Sequence, residues 1–160
     1  MQLRMIAATA LLIALDVAAA TSACAQNVAD ADNAMHAMDL RMRALVTARK
    51  SLQQIESLRH DPEADAVRDI TDAETSVFSE AVKVFTVAFI VTGIKCPDDL
   101  RFTQQQFVLV AKSFVATADT EVARINQNLP NIAATAAYAE AVNIRNLIVD
   151  LRDLLKPFAS

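Results

Sequence analysis

Apolar residues recur at alternating steps of three and four along most of this chain. Val28, Ala31, Met35, Met38, Met42, Leu45, Arg49 and Leu52 form one series, and Val67, Ile70, Glu74, Val77, Ala81, Val84, Ala88 and Val91 form the next. With about 3.6 residues per helical turn, this spacing lays each series along one side of a helix as a seam. Phe107, Ala111, Phe114, Ala118 and Val122 make a third series, and Ala137, Ala141, Ile144, Ile148, Leu151 and Leu155 a fourth. No segment alternates with period two over a useful length, so no sheet is expected. The pattern predicts an all-α fold, an antiparallel up-down-up-down four-helix bundle.

The few helix breakers fall between these series. The chain has one glycine and four prolines. Asp61-Pro62 can cap and open a helix, and Gly93 can close it by taking the left-handed conformation. Pro97, with Asp98 and Asp99 at the positive end of the helix dipole, opens a third. Pro130-Asn131 separates the third from the fourth, and Pro157 ends the fourth. The predicted helices cover residues 28–59, 62–92, 98–128 and 132–156.

Folding the first hairpin about Asp61-Pro62 brings Leu52 to Ile70, Leu45 to Val77, Met42 to Ala81, Met38 to Val84, Met35 to Ala88 and Ala31 to Val91. One polar pair stands in this seam, Arg49 with Glu74. A lone charge in an apolar seam costs about 3–5 kcal/mol, so the two are expected to face each other; otherwise both reach solvent at the seam edge. The second hairpin, folded about Leu129 and Pro130, pairs Val122 with Ala137, Ala118 with Ala141, Phe114 with Ile144, Ala111 with Ile148 and Phe107 with Leu151. A further stripe on the second helix, Phe78, Val82, Phe85 and Phe89, is expected to lie against the second hairpin.

The first 25 residues read as an export signal. Arg4 gives a positive start, Met5 to Leu15 an apolar run, and Ala18-Ala19-Ala20 and Ala23-Cys24-Ala25 two small-residue cleavage sites. The run is shorter than the roughly 20 residues that span a bilayer. Cleavage after Ala25 leaves residues 26–160 as a single bundle domain, placed in the periplasm or secreted. No later segment predicts a membrane span. The net charge is −4, and removing Arg4 and Asp16 leaves it unchanged. Mild acidity with mixed signs gives no footprint for nucleic acid.

Most chemistries find no motif. One glycine cannot build a phosphate-cradling loop, C-x-x-C-H for covalent haem is absent, and the paired E-x-x-H of di-iron bundles is absent too. Neither His36 nor His60 has a nucleophile beside it. No catalytic residue, cofactor or metal ligand is assigned, and a non-enzymatic protein is expected. Met35, Met38 and Met42 with His36 could hold copper(I) in an exported protein, but the methionines occupy consecutive seam positions, where thioethers fill gaps beside small residues.

The end near Cys96 is the candidate site. On helix phase Ile90 points outward beside Lys83, and Phe102 and Leu109 point outward one heptad apart, all in the turns nearest Cys96. Such a cluster is a candidate contact surface for a protein partner or a second copy. Cys24 is lost on cleavage after Ala25; cleavage after Ala20 would permit a Cys24–Cys96 disulfide, and lipidation of Cys24 would anchor the protein. The sequence thus points to an exported bundle that binds protein or serves as a structural module of the cell envelope. The alternative is a carrier of a small ligand or copper, in the bundle interior or on the Met-rich first helix.

Overall fold

The computed structural model describes residues 29–55, 62–92 and 100–160, and these are helical almost throughout, with no strand among them. Residues 29–55 form α1, Pro62–Thr92 α2, Leu100–Asn128 α3 and Ala137–Leu155 α4. Short 3-10 segments follow α3 (Leu129–Ile132) and α4 (Lys156–Ala159). The expected leader, with its cleavage sites and Cys24, lies outside the described residues, as do Asp61, Gly93, Cys96 and Pro97.

The seam residues of all four helices are buried in one cluster, including Met38, Leu45, Leu52, Ile70, Val77, Val84, Phe114, Ile144, Ile148 and Leu151. Full burial of such side chains stabilises by about 1.5–3 kcal/mol each, which is the driving force for a helical bundle. Contacts between successive helices run in opposite senses. Arg124 reaches Asp69 at 2.9 Å and Ser113 donates to Glu80 at 3.2 Å, so numbers fall along α3 as they rise along α2. Arg152 bonds Asp119 at 3.0 Å and Arg145 bonds Asn126 at 3.5 Å, giving the same relation between α3 and α4.

The first seam lies in the expected phase. Arg49 Nη1 donates to Glu74 Oε2 at 3.3 Å. Glu74 has no solvent exposure, and the Arg49 side chain is 25% exposed. The two face each other as expected; the arginine stem lies inside while part of its head reaches the edge, and Glu74 does not reach solvent.

The second hairpin corrects two expectations. Pro130 does separate α3, which ends at Asn128 as expected, from α4, but Leu129–Ile132 around it form a 3-10 segment. The proline stands in the first turn of that segment, where its missing N–H leaves no bond unmade, and its carbonyl accepts from Ala133. Ile132 in that segment is fully buried. The α4 helix starts at Ala137 rather than 132, where the Thr135 hydroxyl accepts the Ala137 N–H at 3.2 Å and donates to the Ile132 carbonyl at 2.8 Å. The turn is therefore centred near residues 132 and 133, which moves each cross-seam partner by about one heptad. The ring of Phe107 accordingly meets Phe158, 5.5 Å away edge to face and seven positions beyond Leu151. Extended along the seam by whole heptads, this contact predicts Phe114 opposite Leu151 and Ala118 opposite Ile148, in place of Ile144 and Ala141.

The second correction concerns the aromatic stripe of α2. Phe78 and Phe85 border α1 at the surface, and Val82 and Phe89 are exposed. The side of α2 toward α3 carries Asp69 and Glu80, with the buried Ala66 and Ala73 between them and the seam centre. Small residues let the helices approach, and the phenylalanines are left on the opposite flank.

Candidate functional site

Ile90 and Leu109 from the expected contact surface are exposed, at 52% and 59%. The Ser113–Glu80 bond fixes the side of α2 that meets α3. Ile90 lies nearly opposite the α2 core line, next to Lys83, which pairs with Glu80. On α3, Leu109 lies just beyond Ser113, away from the core. Both therefore border the outer face of the α2–α3 pair, about six residues apart in register, or roughly 9 Å along the axes. Phe102 is within α3, but its side chain lies outside the described residues, as does Cys96.

Among the described residues, the interior holds one buried ionic pair. Glu74 accepts a single arginine bond at 3.3 Å, Thr75 Oγ1 lies 3.4 Å from the same oxygen, and Oε1 has no partner. Arg49 Nε is likewise buried without a partner, and the guanidinium sits 6.0 Å from the Phe78 ring. Burial pushes the Glu74 carboxyl above the ordinary carboxylate range; the Arg49 charge, the Arg49 bond and the Thr75 bond offset this only in part. Carboxylate and guanidinium here serve one another across the α1–α2 seam and present no reactive group to a substrate.

The residues considered for copper do not converge. Met38 is fully buried, and Met35 and Met42 lie against the core, whereas His36 is exposed with Nδ1 2.9 Å from the Asp32 carbonyl of its own helix. Among the described residues, no group of three or more His, Cys, Asp or Glu side chains could hold a metal ion. No helix among them is long and apolar enough to cross a membrane.

Two hollows were not anticipated from the sequence. A cavity of about 580 Å³ opens where the end of α1, the start of α2 and the turn before α4 meet; Gln54, Ile55, Val67, Thr135 and Glu140 contribute to its wall. It depends on the position of the 133–136 turn, for which the seam pattern gives no signal. A groove of about 420 Å³ runs between α1 and α2, with Met42, Val46 and Thr47 on one side and Phe78 and Phe85 on the other. The aromatic stripe was visible in the sequence, but its side of the helix was not. No family model, curated protein or solved structure matches the chain.

Proposed function

We propose that this chain is an exported, non-enzymatic helical bundle that works through protein contact, as a binding or structural module of the cell envelope. The observation that carries the reading is the exposure of Ile90 and Leu109 on one outer face of the α2–α3 pair. Large aliphatic side chains grouped on a face rimmed by Lys83, Glu80 and Ser113 have the make-up of a contact patch, apolar at the centre and polar at the edge. The sequence pattern adds Phe102 and Cys96 to the proposed surface. The leader sequence gives the address: cleavage after Ala25 releases residues 26–160 into the periplasm or medium, and the bundle is an up-down-up-down domain.

The test is affinity capture from the envelope fraction with the wild-type protein and with Ile90→Glu and Leu109→Glu variants. A partner that co-purifies with the wild type and is lost from both variants, with helicity retained, supports the reading. Equal recovery with all three removes this face from it. Intact-mass measurement of the exported protein tests the address, with cleavage before Gln26 expected and an uncleaved chain counting against export.

The end cavity favours a second reading, a carrier of a small ligand. Its volume lies in the range of small-molecule sites, and its wall is mainly apolar with a few polar groups. Native mass spectrometry of the protein as purified from its own cells would show an added mass in that case and the bare chain otherwise.

A further inference from the structure

Three methionines share the inner side of α1, and their surroundings differ. Met38 is fully buried. Met35 and Met42 are partly buried against the same core. Met42 also lines the groove of about 420 Å³ between α1 and α2, beside Val46, Phe78 and Phe85, whereas Met35 lines neither hollow described above. The groove opens to solvent past Arg43, whose side chain is 78% exposed. We propose that Met42 is a modification site, a thioether that small hydroperoxides oxidise to the sulfoxide ahead of Met35 and Met38.

The chemistry of the wall singles out this side chain. Asp39, Arg43, Val46, Thr47, Phe78 and Phe85 carry no sulfur, and Met42 does. Thioethers take up one oxygen from a peroxide to give the sulfoxide. The Met42 sulfur donates its lone pair to one peroxide oxygen. The S–O bond forms as the O–O bond breaks. The proton on the attacked oxygen passes through solvent to the departing hydroxide, which leaves as water. Sulfur loses two electrons and the peroxide gains them. The groove is many times larger than the roughly 30 Å³ that a water molecule occupies, so a peroxide enters together with its solvent. Met38 stands four residues away, about one helical turn, and is reached only when the helix pair opens.

The product changes the seam. The register marked by Arg49 and Glu74 sets Met42 opposite Ala81, which is fully buried. Oxidation turns a flexible apolar side chain into a polar one. A sulfoxide oxygen held against apolar neighbours lacks a donor, so the oxidised side chain turns toward the groove and gives up core contacts. The packing of α1 on α2 is thereby weakened one heptad from the ionic pair, and a sulfoxide reductase reverses the change. This reactivity requires neither export nor a protein partner.

Timed treatment of the folded full chain with hydrogen peroxide, quenched at low conversion, tests it. Cleavage before aspartate places Met42 on residues 39–60 and Met35 with Met38 on residues 32–38, and fragment masses separate those two. Met42 should gain oxygen about tenfold or more faster than Met38, and faster than Met35, with the three rates converging in urea-unfolded protein. At the dose that converts Met42, the wild type should show a lower urea midpoint, and Met42→Leu, a volume-conserving change, an unaltered one. If Met42→Leu does not fold, the wild-type peptide rates decide alone. Met35 or Met38 leading, or equal rates in the folded chain, overturns the site. A midpoint unmoved by conversion of Met42 overturns its consequence for the seam.

Discussion

The two seams of this bundle are built from the same heptad spacing, yet only one has its register marked by chemistry. Between α1 and α2, Arg49 must find Glu74, and the two meet at 3.3 Å. A slip of one heptad would bring Arg49 against Val67 or Ala81 and Glu74 against Met42 or Glu56, leaving both charges uncompensated at about 3–5 kcal/mol. Between α3 and α4 the buried residues among those described are all apolar, and the polar contacts Arg152 with Asp119 and Arg145 with Asn126 lie on the exposed margin. Nothing in that seam's pattern separates one heptad register from the next. The length of the connecting turn decides, and the observed register is seven positions from the one that a break at Pro130 implies. A buried ionic pair is weak evidence for stability, but here it acts as an index mark.

The largest expected effect comes from removing half of that mark. Arg49→Ala should destabilise the protein by about 3–5 kcal/mol at neutral pH in urea unfolding, because the Glu74 carboxylate is left buried and unpaired. The loss should shrink on mild acidification as Glu74 takes up a proton.

In the wild type, burial raises the Glu74 carboxyl in the folded state above its unfolded value. Its relative contribution to stability is therefore fully present below the unfolded value and is lost as pH rises through the folded one. Glu74→Gln should flatten this part of the pH profile. An unchanged slope between neutral and mildly acid pH would assign it to other carboxyls.

Replacing both partners, Arg49→Met with Glu74→Leu, should be neutral or stabilising by about 1–4 kcal/mol, since the desolvation of two ions is then avoided. If the index role is right, crosslinking between cysteines placed on α1 and α2 should show the native register alone in the wild type and a second register in the double variant. A destabilised double variant with one register would mean that apolar packing alone fixes the first seam.

The second seam can be sharpened by double-mutant cycles. Phe114→Ala and Leu151→Ala should couple by about 0.5–3 kcal/mol, while Phe114→Ala and Ile144→Ala should add nearly independently. The reverse result would restore the register centred on Pro130. Smallest of all, Asp119→Ala should cost no more than about 1 kcal/mol by thermal unfolding, because its contact with Arg152 lies on the exposed margin and is screened.

Much of the architecture was legible because helix formation and amphipathicity are local. The 3-4 spacing marked which side of each helix is buried, and the predicted 62–92 helix is the observed Pro62–Thr92. The Arg49–Glu74 contact was legible because two opposite charges in one seam have few other ways to be satisfied. Leu109 and Ile90 were legible as outward positions from helix phase alone. The flank taken by the Phe78–Phe89 stripe was not, since an apolar stripe states only that it prefers cover and not which neighbour supplies it. Ala66 and Ala73 on the other flank held the information, through their small size, but only once α3 was placed against them.

By itself, then, the sequence determined four helices, their buried faces and the phase of the first hairpin, because periodicity and charge pairing act over distances the chain pattern encodes. Only the tertiary structure decided where the second hairpin turns, which flank of α2 carries the aromatic stripe, and where the two hollows open. Those features depend on the close approach of residues far apart in the chain. They also depend on a proline that stays inside a helical turn, because the N–H it lacks would have had no partner there.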